Sequence, residues 1–390
     1  MSPFNKSRSL FFLVFALTPI LCGVLAGCGE SAGASPASNS VPGALPSESG
    51  AVLAGGGDIG TSRTSPTAPF RFFAPKSFWN KPVPANALVD PRSGAVMGAF
   101  DALIASEFHQ ERGPWINTTS YSVPVYTVPA SQPPVRVTLR GRGPALQMAW
   151  SAVPLPPDAQ PAVGTDGALV VWQPSTNRLW EFWRLAKEAD SWHASWGGAM
   201  QNVSSNPGVY GPEAWPGATT RWGLSSSSLS DVGGLISIED LEKGQINHAL
   251  AMAIPNVRAG VYATPAHRSD GKTDDPLALP EGAHLRLNPS LNLAALHLPR
   301  LTLILAQAAQ RYGIYVKDGA GNVAFYAQDP VPTGTEPYMG TDGFFEGKYP
   351  NYLLRSFPWS SLELLKMELH ATTGSKYGRH TRRHRRQRYP

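Results

Sequence analysis

The chain has 390 residues, 42% of them hydrophobic and 16% charged, with a formal net charge of +5 and only two cysteines, Cys22 and Cys28. It is long and apolar enough for a sizeable core, and too poor in cysteine for a disulfide framework. The positive charge is concentrated at the C-terminal end, where Lys376, Arg379, Arg382, Arg383, Arg385, Arg386 and Arg388 occur without an acid. The body is therefore mildly acidic, which argues against nucleic-acid binding.

In chain order, Lys6 and Arg8 precede an apolar run over 10–24, and Leu25-Ala26-Gly27-Cys28 follows it. This is a three-part export signal over 1–27, and its apolar run is too short to span a bilayer. The Leu-Ala-Gly-Cys order resembles the lipobox of bacterial lipoproteins. That resemblance implies cleavage after Gly27, a lipid on Cys28 and a place in the cell envelope outside the cytoplasm, at the outer membrane if the cell is Gram-negative. An ordinary secretory signal is the alternative, but Cys28 has no partner once Cys22 leaves with the signal. Residues 28–68 are nearly all Gly, Ser, Ala, Pro and Thr and read as a disordered tether. Residues 69–370 form the body, read as one domain. The basic end, 371–390, reads as a disordered tail able to attach to an anionic surface.

Within the body, short runs rich in Val, Ile, Tyr or Trp at 122–128, 135–139, 168–172, 178–185, 192–196, 249–254, 314–316 and 323–327 predict strands separated by turn residues. Many short strands of this kind predict a mainly β fold, an antiparallel jelly-roll-like sandwich with a few peripheral helices. Apolar spacing near 3.6 predicts helices over 95–107 and 299–312. Ser237-Ile238-Glu239-Asp240 has the form of a capping box opening a short helix that Gly244 closes. Asp318-Gly319-Ala320-Gly321-Asn322 is the densest hairpin signal, and Ser225 to Ser228 reads as a low-complexity loop.

Seven of the eleven tryptophans fall between Trp172 and Trp222. A Trp-rich core explains this as well as a sugar-binding cleft does, since flat indoles stack on the apolar faces of pyranose rings. On the second reading Trp172, Trp183, Trp192, Trp196 and Trp222, with Asn206, contact a polysaccharide or cell-wall glycan. Alternation along 178–185 places Glu181 on one face with Trp183, where burial would raise its pKa toward that of a general acid. A Glu paired with an Arg across the sheet is the structural alternative. Glycoside hydrolysis needs a second carboxyl group. Asp166, before the preceding strand, would approach Glu181 if the chain turns at 174–177, although a plain turn residue in Asp-Gly is the readier reading of it. Asp231, Glu239 and Asp240 are further options. His193 and His248 offer a lyase mechanism, a His base with a Tyr acid, or are structural. The acidic loop Asp270, Asp274 and Asp275 lacks EF-hand spacing, so neither a metal nor a cofactor is expected. A glycan-binding or wall-attachment lipoprotein without catalysis is the remaining reading.

Phe78-Trp79-Asn80-Lys81-Pro82, Gly164-Thr165-Asp166-Gly167 with Leu169-Val170-Val171-Trp172, Leu179-Trp180-Glu181-Phe182, Ser204-Ser205-Asn206-Pro207, Gly233-Gly234-Leu235-Ile236, Gly244-Gln245-Ile246-Asn247-His248-Ala249-Leu250 and Gln310-Arg311-Tyr312-Gly313 resemble a family of secreted bacterial proteins. The resemblance spans about 70–369. It implies export and one shared domain, without a mechanism, and it places Asp166, Glu181, Asn206 and His248 at motif positions.

Overall fold

Runs of β-branched and aromatic residues cut short by Pro, Gly and Asn produce strands of three to six residues. The computed structural model describes residues 71–372; the expected export signal, Cys28, the expected tether and the chain beyond residue 372 lie outside them. In chain order the elements begin with α1 (Ser93–His109), β1 (Trp115–Asn117), β2 (Val125–Thr127), β3 (Val137–Leu139), α2 (Pro144–Ala149), β4 (Leu169–Gln173) and β5 (Arg178–Trp183). Next come β6 (Ala186–Glu188), β7 (Ser191–Ala194), β8 (Trp196–Gln201), α3 (Ile238–Glu242), β9 (Leu250–Ile254), β10 (Val261–Ala263) and β11 (His284–Leu287). The last are α4 (Arg300–Arg311), β12 (Ile314–Gly319), β13 (Ala324–Tyr326), α5 (Pro350–Leu354), β14 (Leu362–Leu364) and β15 (Leu369–Ala371).

The fold is mainly β. Its strands form a six-stranded sheet in the order β1-β13-β9-β12-β11-β14, a four-stranded sheet β2-β4-β5-β8, a three-stranded sheet β3-β7-β6 and the pair β10-β15. The sheets are mixed: β1 with β13, β9 with β12, β2 with β4 and β3 with β7 run parallel, and the other pairs are antiparallel. Among the described residues no helix is long and apolar enough to cross a membrane.

Two apolar cores lie on opposite faces of the six-stranded sheet. Leu250, Met252 and Ile254 of β9, with Ile314 and Val316 of β12, pack into the core that holds Val96, Phe100 and Ile104 of α1 and Leu301, Ile304 and Leu305 of α4. Ala251 and Tyr315, on the other face, join the core built by β4, β5 and β8. Glycine is required at position 234, at φ 69°, because a Cβ there would come within 2.4 Å of the Ala251 backbone nitrogen.

Local signals held where one element satisfied them alone. The Ser237 hydroxyl accepts from the Asp240 backbone N–H at 3.1 Å and caps α3. The turn at 174–177 closes on Asn177 in the left-handed region and pairs β4 with β5, Val170 opposite Glu181. The expected hairpin at 318–322 did not form. Strand β9, buried throughout, lies between β12 and β13 and takes the hydrogen bonds those two strands would otherwise exchange.

Candidate functional site

Asn80 folds the N-terminal segment of the body over the second core. Its side-chain amide donates to the carbonyls of Phe72 at 2.8 Å and Ala74 at 3.0 Å, while the Trp79 indole donates to Gly208 O at 3.1 Å. The Trp79 carbonyl accepts from Ala249 N at 2.7 Å, which joins this segment to the start of β9 beside His248. A cavity of about 570 Å³ opens between this segment, β4 and α3, within the size range of small-molecule sites. Phe72, Phe73 and Trp172 provide an aromatic wall, with Phe72 edge-on to Trp172 at 5.6 Å between ring centroids. Asp240, His248, Lys243 and Thr333 are among the polar groups facing them.

The polar side is organised around Asp240. His248 Nε2 donates to Asp240 Oδ2 at 3.2 Å, and Nδ1 faces the Ala249 carbonyl at 2.9 Å. Both ring nitrogens face acceptors within the protein, so the ring is held between Asp240 and the Ala249 carbonyl. His248 therefore orients Asp240. Burial pushes the Asp240 carboxyl up, but the hydrogen bond and charge of His248, with the donors of Ser237, outweigh it and hold the carboxyl below its usual range. Asp240 is thus a fixed anionic acceptor at the cavity wall. Lys243 pairs with Glu239 one helical turn away.

Glu181 lies elsewhere, fully enclosed between the two β layers. Its Oε1 accepts from the Ser230 hydroxyl and from Asp231 N at 2.7 Å, while Oε2 has no partner. Burial first, then the charge of Asp231, lifts its pKa to about 7 against the pull of Ser230, the Asp231 N–H and Lys317. Lys317, also fully buried, donates to the Asp231 carbonyl at 3.0 Å and to Oδ1 at 3.1 Å, with its Nζ 3.6 Å from the Tyr326 ring centroid. The register shift between β12 and β9 falls at this residue, leaving Lys317 without a paired partner on β9; such bulges re-aim side chains. A group with no exposed surface does not meet a polymeric substrate, so Glu181 belongs to the architecture between the layers.

Of the other candidate site residues singled out in the sequence, Trp172, His248 and Glu239 line the cavity. Asp166 Oδ1 accepts from the half-buried Trp183 indole at 3.0 Å, and Arg184 covers that ring, so Asp166 meets Trp183 rather than Glu181. The backbone explains this: Asp166 O takes the N–H of Arg184, three residues beyond Glu181. His193 faces Glu188 at 3.9 Å. Trp192 and Trp222 are core residues, and the Trp196 indole donates to Arg221 O. Asn206 Oδ1 accepts from Gly208 N in a local turn.

Sequence reasoning passed over Phe72, Lys243, Lys317, Glu281 and Asp318. Lys317 carried a signal, a charge directly after the apolar run Ile314-Tyr315-Val316. The serine run carried another. Ser225, Ser227 and Ser228 are fully buried and donate to the carbonyls of Leu229, Lys317 and Thr220 respectively. No family model, curated protein or solved structure matches the chain.

Proposed function

We propose that the protein is a lipid-anchored, extracytoplasmic glycan-binding protein whose ligand enters the cavity beside Trp172. The observation carrying this reading is the pairing of an aromatic wall with a fixed anionic acceptor, Asp240, in one cavity of about 570 Å³. A sugar presents an apolar C–H face to the first and hydroxyl donors to the second. Glu239 and Glu242 line the same cavity as Asp240, and this supports a second reading in which the bound polysaccharide is also cleaved, with the ionised Asp240 as base or nucleophile. The Leu25-Ala26-Gly27-Cys28 sequence supports the anchor.

Binding is tested by tryptophan fluorescence and calorimetry against plant, algal and bacterial wall polysaccharides, with reducing ends and unsaturated uronate followed in parallel. Trp172→Ala is expected to weaken binding by roughly 30-fold, the effect of removing an aromatic anchor. Asp240→Asn is expected to weaken it by roughly tenfold, the loss of a charge-assisted hydrogen bond. Circular dichroism separates loss of binding from loss of fold. New reducing ends abolished by Asp240→Asn would add hydrolysis; unsaturated uronate would add a lyase step. Absence of any response to every polymer overturns the glycan reading. For the anchor, Cys28→Ser is expected to move the protein from the membrane fraction to the soluble fraction, and retention in the membrane would refute lipidation.

A further inference from the structure

At Asp318, next to Lys317 in β12, three carboxylates from separate parts of the chain meet. One oxygen each from Asp270, Glu281 and Asp318 lies within 4.8 Å of the others. Asp270 belongs to the loop after β10, Glu281 to the approach to β11, and Asp318 to β12 just past its bulge. The Ser226 hydroxyl contacts both Glu281 Oε1 and Asp318 Oδ1. A hydroxyl has one proton, so it donates to only one of these two oxygens. Asp318 also accepts from Gly319 N at 2.8 Å and Ser226 N at 3.3 Å.

Glu281 is the unbalanced member. Its side chain is fully enclosed, and Oε2 has no hydrogen-bond partner. Left as it is, this group costs the fold free energy. Arg268 is the nearby cation, but its Nη2 is committed to the carbonyls of Gly223 and Ser225, and its Nε has no partner. One guanidinium faces three carboxylates.

We propose that Asp270, Glu281 and Asp318 bind a hard divalent cation, with calcium the best fit. The donors are all oxygens, carboxylate and hydroxyl, with no sulfur or imidazole among them, which selects calcium, magnesium or manganese over zinc or copper. Calcium tolerates an irregular shell of six to eight oxygens completed by water. Asp270 is exposed, so it gives both an entrance and room for water ligands. The bound ion ties the loop carrying Asp270 to β12.

The test uses the full chain in detergent, stripped with EDTA and titrated calorimetrically with calcium, magnesium or manganese chloride, alongside thermal unfolding. One site is expected, with calcium binding most tightly and raising the unfolding temperature. Asp270→Asn alters an exposed side chain, so its unfolding temperature in EDTA should match wild type while its calcium affinity falls by at least about tenfold. Absence of heat and of any thermal shift with all three cations up to millimolar concentration overturns the proposal and leaves Arg268 as the compensating charge. Binding that survives Asp270→Asn unchanged overturns it as well, since the ion then sits elsewhere.

Discussion

Replacing Lys317 by methionine is expected to cost about 3–5 kcal/mol of stability, the range for breaking a buried ion pair from one side. Methionine keeps the unbranched stem and loses only the ammonium group. What remains is Asp231, 1% exposed, with one carboxylate oxygen stripped of its donor and the other already without one. Glu181 lies within reach of the same charge, so Lys317 serves two acids at once. The ammonium also leaves the face of Tyr326, a contact contributing about 1–2 kcal/mol when desolvated. Urea unfolding of the purified protein reads the loss. Asp231→Asn placed on top of Lys317→Met should recover part of it, because the uncompensated charge goes too. A Lys317→Met variant within about 1 kcal/mol of wild type would show that water or another group supplies the missing donor.

That network explains why part of the molecule was legible in the sequence and part was not. The cap at Ser237, the left-handed Asn177 and the spacing of α4 are local: each is decided by a few neighbouring residues, and each appears where the sequence places it. The hairpin at 318–322 failed because its turn chemistry is also local, whereas the insertion of Leu250–Ile254 between the flanking strands is decided by partners some 60 residues away. Register is a tertiary property, and the bulge at Lys317 exists only relative to β9.

The tryptophan run shows the same limit at the site. Alternation separates faces only when one face is wet. All five residues of β4 are buried, so nothing in Leu169–Gln173 distinguishes the indole that lines the cavity from the side chains that fill the core. Trp172 becomes a cavity residue because Asn80 folds Phe72 and Phe73 over it. Asp240 was visible as a capping residue, but its pairing with His248 depends on how the chain returns from α3 to β9. Asp270 stood out beside Asp274 and Asp275, whereas the carboxylates it meets are Glu281 and Asp318. Spacing in sequence is a guide to metal ligands only where one loop supplies them all.

Stability should fall as pH rises through neutrality, and Glu181 should account for a large share of the fall. In the unfolded chain this carboxyl ionises near 4.5; in the folded protein burial and Asp231 raise it to about 7. Between those values the native state holds a proton that the unfolded state has released, so folding is favoured most below 4.5 and the advantage is lost as pH climbs through about 7. The groups facing Glu181 are Asp231, Lys317, Ser230 and Tyr210; the first opposes its ionisation, and Lys317 and Ser230 relieve only part of the cost. The separation corresponds to roughly 3 kcal/mol. Glu181→Gln keeps the shape and an acceptor for Ser230 and Asp231 N but does not titrate, so subtracting its unfolding free energy from that of wild type isolates this group. The difference should shift by roughly 3 kcal/mol in the variant's favour between pH 4 and pH 8. Asp240 acts in the opposite sense, because its pKa is lowered, and its stabilisation is lost as pH falls below the usual carboxylate range. It is present in both proteins and cancels. Curves that stay parallel from pH 4 to pH 8 would mean that Glu181 ionises inside the fold as easily as outside it, which requires water to reach Oε2 between the layers.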